Sequence, residues 1–230
     1  MSIYDIQKVL QITRLSPEPL VNEDDGSVIV YLYEDVTEES VNRVIKELHT
    51  YEGRNIQLHL KTCGGTAYDA LALVDIIREL RVQVHVVGCA FSAGFFIFCS
   101  APIRTMSKHA TLMYHELAYY RHGDLTYQKR FTEDSERLQK KLDSLVTEGT
   151  DITQEQLDEI KERRKDWYID YEEALALNII THVLITKRTV EPAHQVPEQV
   201  CEETSFVTME EYLDGVAKKT IKKKQSKKDT

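Results

Sequence analysis

The chain has 230 residues and a formal net charge of −9. This length suffices for one domain with a substantial core, and 42% hydrophobic with 29% charged residues is typical of a globular protein. The negative charge disfavours nonspecific attraction to nucleic acids or anionic membranes.

Residues 1–26 are predicted to form an N-terminal arm outside the core. They end in the turn-like acidic stretch NEDDG, and they lack the basic start and long apolar run of a secretory signal. The apolar run Ala93 to Cys99 is too short to span a bilayer. We therefore expect a cytoplasmic protein whose four cysteines are free thiols (Cys63, Cys89, Cys99 and Cys201).

Strands and helices alternate between residues 28 and 87. Strands are predicted at 28–33, 55–60 and 82–87 from runs of β-branched and alternating apolar residues. Apolar residues at helical spacing lie between them: Val41, Val44, Ile45 and Leu48 after a possible cap at Thr37, then Leu71, Val74, Ile77 and Leu80. This βαβ order predicts a mostly parallel sheet covered by helices, with any site at one sheet edge.

The remaining elements extend the same α/β pattern. A sharp turn at GCAFSAG (88–94) leads into a buried helix, and a short strand at 110–114 ends at His115. Residues 124–146 indicate a protruding helix, Thr153 and Gln156 a capping box, and Asn178 a helix end before a last strand at 179–185. Residues 187–230 are predicted to form a C-terminal extension with a lysine-rich, disordered tail.

Four segments carry the residue types that a serine peptidase needs. Ser92 lies among small residues at the turn from strand to helix, and the glycine pair Gly64-Gly65 follows another strand. His115 closes a strand, and Asp166 is predicted to lie between two helices. Each alone has a plainer interpretation: a helix-capping serine, an ordinary glycine turn, a structural histidine and a solvated or capping aspartate.

Together, these segments resemble the proteolytic subunit of Clp protease (ClpP) in order and setting. The family's Ser-Pro-Gly-Gly-Ser is similar to 62–66 (TCGGT), and its Gly-x-Ala-Ala-Ser-Met-Gly to 88–94 (GCAFSAG). Its Met-Ile-His-Gln-Pro resembles 113–117 (MYHEL), and its Glu-Arg-Asp-x-Phe resembles 164–168 (RKDWY). The likeness extends from about residue 28 to about residue 186, so residues 27–186 are assigned to a ClpP-like peptidase domain.

The resemblance implies a fold, roles and partners. The fold is a ClpP/crotonase-like repeated βαβ superhelix with a protruding helical handle. Ser92 is the implied nucleophile, His115 the base and Asp166 its orienting group, with the N–H groups of Gly65 and Ala93 as oxyanion hole. The implied protein is a serine endopeptidase that cleaves unfolded polypeptides inside a homo-oligomer of heptameric rings, possibly a tetradecamer.

An ATP-driven AAA+ unfoldase is the implied partner. No GxxxxGK[ST] phosphate loop occurs in the sequence, so any ATP dependence must come from that partner. No cofactor or metal is expected, and the sequence has no CxxC pair for a thiolate zinc site. Nucleic acid is an unlikely ligand, with phosphate binding by the lysine-rich tail as the open alternative.

Three alternatives remain open for the function. The chain could be a noncatalytic ring subunit, a crotonase-type enzyme acting on acyl-CoA, or a peptidase with a thiol nucleophile at Cys63 or Cys89. The sequence also departs from the family at Cys63, in place of proline, and at Phe91, in place of alanine beside the nucleophile.

Overall fold

The computed structural model describes residues 16–119, 122–186 and 204–208. The strands of its main sheet are β1 (Leu20–Val21), β2 (Val28–Leu32), β3 (Ile56–Thr62), β4 (Gln83–Phe91), β5 (Ile103–Met106), β6 (Thr111–Tyr114) and β7 (Trp167–Ile169). The order is β1-β2-β3-β4-β6-β7, with β5 also paired to β4. Strands β2 to β6 pair in parallel, whereas β1 and β7 are antiparallel edge strands.

Helices connect the strands as βαβ units, so the predicted α/β fold is confirmed. In the described residues the helices are α1 (Glu38–Thr50), α2 (Ala67–Glu79), α3 (Ala93–Ser100), α4 (Leu125–Gly149), α5 (Gln154–Glu162) and α6 (Tyr171–Ala176). None of these helices is both long and apolar enough to cross a membrane.

The core lies between the sheet and its helices. Alternate residues of β2 and β3, such as Val30, Leu32, Leu58 and Leu60, are fully buried. All eight residues of α3 are buried, which fits a helix that is apolar on every side.

Strands β5 and β6 both pair in parallel with β4 on the same side, at successive positions along it. Its first half pairs with β5, starting at Gln83 opposite Ile103. Its second half pairs with β6, ending at Phe91 opposite Met113. The carboxyl ends of β4 and β6 therefore lie side by side.

The predicted handle is α4. None of its residues before Leu138 is buried, whereas Leu138, Leu142, Leu145 and Val146 pack into the core. The first half of this 25-residue helix therefore protrudes and the second half anchors it.

Several local predictions need correction. Strands β5 and β7 were not predicted. The strand predicted at 179–185, which is β8 (His182–Thr186), begins later than expected, because Asn178 adopts the left-handed conformation (φ 52°) and residues 179–181 form a connection. On α2, Ala70 and Leu73 are buried while Leu71 and Leu80 are only half-buried, so the inward face is rotated from the predicted one.

Both predicted terminal segments are only partly described. Within the predicted arm, β1 adds to the sheet edge, and residues 1–15 lie outside the described residues. Within the predicted extension, β9 (Thr204–Thr208) pairs with β8 and was not predicted. The lysine-rich stretch 218–228 lies outside the described residues.

Candidate active site

Three strand ends bring Ser92, His115 and Asp166 to one edge of the sheet. Ser92 follows β4, His115 follows β6, and Asp166 precedes β7. The Ser92 N–H donates to the Met113 carbonyl at 2.9 Å. The antiparallel β6–β7 register ends with Tyr114 opposite Trp167, so His115 and Asp166 are the next residues beyond the paired segments of the two strands.

Ser92 occupies a strained turn between β4 and α3. Its backbone has φ 52° and ψ −117°, a conformation that non-glycine residues rarely adopt. It is the N-terminal cap residue of α3 by position, yet its side chain makes no capping hydrogen bond. The hydroxyl is therefore not used for helix capping, and strain of this kind is characteristic of functional sites.

Gly64 packs directly against the Ser92 turn. A Cβ at Gly64 would lie 2.8 Å from the Ser92 Cβ and 3.3 Å from the Ala93 nitrogen. The Thr62 hydroxyl accepts a hydrogen bond from the Gly64 N–H at 3.1 Å and so fixes this turn. Only a glycine permits so close an approach.

The next residue, Gly65, directs its N–H away from the neighbouring segment. The Gly64 carbonyl accepts from the Val36 N–H and the Thr66 N–H donates to the Val36 carbonyl, each at 2.8 Å. In this parallel bridge the Gly65 N–H between them points away from Val36. Within the described part of the chain, neither this N–H nor that of Ala93 has a hydrogen-bond acceptor.

The side chains of the three predicted residues are not joined by hydrogen bonds. The half-buried His115 donates from Nδ1 to the Glu116 carbonyl at 2.5 Å. Because a carbonyl only accepts, this contact assigns the proton to Nδ1 and leaves Nε2 as the basic nitrogen. Asp166 is exposed, and its side chain makes no hydrogen bond among the described residues.

An apolar ladder lies beside these residues. Phe91, Met113 and Tyr168 are in register across β4, β6 and β7, so they share one face of the sheet. The Phe91 and Tyr168 rings meet edge to face with centroids 5.7 Å apart. By alternation along each strand, His115 and Asp166 belong to the same face as this ladder.

Of the two neighbouring thiols, Cys89 is poorly suited to nucleophilic attack. Cys63 is exposed, and Cys89 is half-buried with its Sγ 3.6 Å from the Thr62 carbonyl. Burial, and next the neighbouring Cys63 thiol, raise the pKa of Cys89 above its usual value. A raised pKa lowers the thiolate fraction at neutral pH, which disfavours Cys89 as a thiol nucleophile.

The sequence reasoning missed a buried polar network behind His115. Tyr114 and Asp143 are fully buried and hydrogen-bonded to each other, and Gln139 bonds to both. The available signal was the spacing of Gln139, Asp143 and Val146 at i, i+4 and i+7, which places two polar side chains on a core-facing stripe.

The described residues offer no metal centre. Among them there is no group of three or more His, Cys, Asp or Glu side chains arranged to hold a metal ion.

Comparison with known proteins points to one family. The family model described as Clp protease matches residues 21–187. The ATP-dependent Clp protease proteolytic subunit 1 of Synechococcus sp. (strain CC9902) is 31% identical over 172 residues, which cover 71% of this chain and 85% of that protein. The subunit of the same name from Prochlorococcus marinus (strain NATL2A) is 30% identical over 164 residues, which cover 67% of this chain and 82% of the relative. Subunit 2 of Synechococcus sp. (strain CC9605) is 26% identical over 171 residues, with coverages of 71% and 85%.

Proposed function

The chain belongs to the Clp protease family, and from that premise we propose that it is a serine endopeptidase with Ser92 as nucleophile, His115 as base and Asp166 as the group that orients the base. The observation that carries this proposal is the turn at Ser92. Ser92 is half-buried in a strained turn at the start of a buried helix, it packs against Gly64, and its hydroxyl makes no capping bond, which is the geometry of a nucleophile at a sharp strand-to-helix turn.

Catalysis would begin with attack of the Ser92 hydroxyl on a peptide carbonyl. His115 Nε2 takes the hydroxyl proton and returns it to the leaving amine, and water then hydrolyses the acyl-enzyme by the same route in reverse. The N–H groups of Gly65 and Ala93 stabilise the oxyanion, supported by their lack of protein acceptors and by the positive end of the α3 dipole.

His115 must change its hydrogen-bond partner to work in this way. In the present conformation its Nδ1–H is bound to the Glu116 carbonyl. Asp166, the residue immediately before β7, would replace that carbonyl as acceptor after rotation of the imidazole, because β7 pairs with the strand that ends before His115. Catalytic hydrogen bonds in unliganded enzymes are often long or absent and form with substrate.

The substrates we propose are unfolded polypeptides, cleaved in the cytoplasm inside a chamber of heptameric rings that stack into a tetradecamer. The names of the relatives describe proteolytic subunits of ATP-dependent proteases, and this chain has no ATP-binding phosphate loop of the GxxxxGK[ST] type. A separate AAA+ unfoldase would therefore supply the ATP dependence.

A second candidate is a noncatalytic ring subunit. It is favoured by one specific observation, namely that His115 is bound to the Glu116 carbonyl and to neither Ser92 nor Asp166. The two candidates share the fold and the assembly, and they differ only in whether the site hydrolyses peptides.

Hydrolysis of fluorogenic peptides, measured together with assembly size, separates the candidates. The purified wild type should form a large assembly and cleave peptides, and Ser92→Ala should keep the assembly but lose at least about 1000-fold in kcat. Ser144→Ala on the exposed side of α4 is the matched control and should retain activity. A large wild-type assembly with no hydrolysis would support the noncatalytic subunit, and an active Ser92→Ala would refute Ser92 as nucleophile.

A further inference from the structure

A single buried carboxylate, Asp143, gathers four hydrogen bonds behind the candidate site. It lies on the anchored half of α4 and is 1% exposed. Its Oδ1 accepts from the Tyr114 hydroxyl at 2.8 Å and from Gln139 Nε2 at 2.7 Å. Its Oδ2 accepts from Lys161 Nζ at 2.7 Å and from Gln154 Nε2 at 3.3 Å. The carboxylate is thus fully satisfied, as a buried charge must be.

Two of these donors bracket His115. Tyr114 is the residue immediately before it, and its ring is wholly buried. Gln139 uses its other atom, Oε1, to accept from the Leu117 N–H at 2.7 Å, two residues after His115. The backbone on both sides of the imidazole is therefore tied to Asp143 directly or through one amide.

The third donor, Lys161, connects Asp143 to the segment that carries Asp166. Lys161 lies in the last turn of α5, five residues before Asp166, and its side chain is 17% exposed. Burial alone would lower the pKa of Lys161, but its hydrogen bonds to Asp143 and Asp158 raise it overall, so it remains a cation. The ion pair with Asp143 fixes the end of α5 relative to α4.

The placement of this network favours a role in orientation. A cleft of about 920 Å³ is lined by α4, α5 and the loop after His115, and Leu117, Gln139 and Asp143 are among its lining residues. Leu117 also packs against the hydrophobic core, and the hydrogen bond from its N–H to Gln139 adds a directional contact that fixes the loop relative to α4. Catalytic side chains whose supporting loops are hydrogen-bonded to rigid helices keep their relative positions. This matters because a displacement of about 1 Å in a catalytic group costs roughly 100-fold in rate.

We propose that Asp143 is a positioning residue for catalysis, which sets the His115 loop through Tyr114 and Gln139 and the approach to Asp166 through Lys161. This inference rests on the proposed peptidase function. It adds a group that touches neither the substrate nor the reacting atoms and acts through the placement of the base and its partner.

The test compares three variants of the network with one control. Asp143→Asn keeps the shape but removes the charge, Tyr114→Phe removes one hydroxyl, and Gln139→Leu removes the acceptor of the Leu117 N–H. The control is Asp75→Asn, which removes an exposed carboxylate on α2 that makes no hydrogen bond or ion pair with any residue of the network. The readouts are kcat and KM for peptide hydrolysis, the fluorophosphonate labelling rate at Ser92, assembly size, melting temperature and amide hydrogen exchange at Leu117.

Positioning predicts a loss in kcat with KM nearly unchanged. Among assembled molecules, kcat and the labelling rate should fall about 10-fold in Tyr114→Phe and Gln139→Leu and about 100-fold in Asp143→Asn. Exchange at Leu117 should accelerate in Gln139→Leu, and Asp75→Asn should stay within about twofold of wild type. Tyr114→Phe and Gln139→Leu keep the inference testable if Asp143→Asn does not fold.

Two results would overturn the inference, and they are distinguishable. If wild type is labelled at Ser92 and the folded variants are labelled equally fast despite lower melting temperatures, the network is only structural while the peptidase stands. If wild type assembles but is neither labelled nor active, the proposed function itself fails and this inference fails with it.

Discussion

At the residue scale, the backbone around Gly65 leaves no room for a side chain. An added Cβ would lie 2.1 Å from the Val36 carbonyl oxygen, at a φ of +150° that is unfavourable for other residues. The Val36 backbone is held in place, because its N–H donates to the Gly64 carbonyl and its carbonyl accepts from the Thr66 N–H. Gly65 also supplies one of the two N–H groups proposed for the oxyanion hole.

Gly65→Ala should therefore destabilise the protein and reduce its activity. The clash and the backbone strain together should lower the free energy of unfolding by about 2–5 kcal/mol, measured by urea denaturation. Gly53→Ala is the control, because Gly53 also has a positive φ (+85°) but no atom within 4 Å of the added Cβ. Equal losses in the two variants would mean that close packing at Gly65 is unimportant.

The buried residue His85 is the basis of a second prediction at the residue scale, which concerns the stability of the protein in acid. His85 is 6% exposed and lies between the hydroxyls of Thr105 (2.8 Å) and Ser107 (3.1 Å). Burial, and next the nearby His59, lower the pKa of His85 to about 4. Because an unfolded histidine has a pKa near 6.5, the unfolded chain binds more protons between pH 6.5 and pH 4, and stability falls as the pH drops through that window.

The expected loss from His85 between pH 7 and pH 4.5 is about 2–3 kcal/mol of unfolding free energy. His85→Gln should be less stable than wild type at pH 7 but should lose less stability on acidification. His109→Asn, at an exposed position, should keep the wild-type pH dependence. If His85→Gln and wild type lose equal stability between the two pH values, His85 is not the acid-sensitive group.

At the element scale, Arg104 joins the handle to the core. This residue is 5% exposed, and its guanidinium donates to four carbonyls: Ala101 at 2.8 Å, Gly149 at 2.5 Å, Asn178 at 3.1 Å and Ile179 at 2.6 Å. Gly149 ends the handle helix, so the cation also lies at the negative end of its dipole. One side chain thus fixes the end of α4 and the connection into β8.

Arg104→Met should remove these bonds and leave buried carbonyls without donors. We expect a loss of about 3–5 kcal/mol in unfolding free energy, measured by chemical denaturation. Arg137→Met is the control, because Arg137 lies on the protruding half of α4 and its ion pair with Asp134 is exposed. A comparable loss in Arg137→Met would contradict the argument from burial.

The regular elements could be predicted because local patterns determine them. Thr37 and Thr153 both form capping boxes, and Ile56, Leu58 and Leu60 are buried as their alternation indicates. The position of Ser92 at a strand-to-helix turn likewise followed from short-range signals.

The features that could not be predicted depend on contacts between distant segments. Strand β7 has only three residues, too few for an alternating pattern, and it exists through pairing with β6. The burial of Asp143 also depends on partners from β6 and α5, 29 and 18 residues away.

At the scale of the whole molecule, the sheet order assembles the candidate site. Residues 88–94, 113–117 and 164–168 are far apart in the chain, and they meet because β6 pairs with β4 on one side and β7 on the other. The parallel core places two strand ends at one edge, and the antiparallel β7 brings Asp166 to that edge from the opposite direction. The sheet topology therefore explains why these segments meet. The peptidase proposal itself can be tested at Ser92.

The most direct test is to map where a fluorophosphonate reacts. The full-length wild type would be treated with the reagent and digested, and the modified peptide would be identified by mass spectrometry, with Ser92→Ala treated in parallel. The account predicts one adduct, on Ser92, that is absent from Ser92→Ala and much slower to form in His115→Asn. An assembled wild type that gains no adduct, or gains it on another residue, would contradict it.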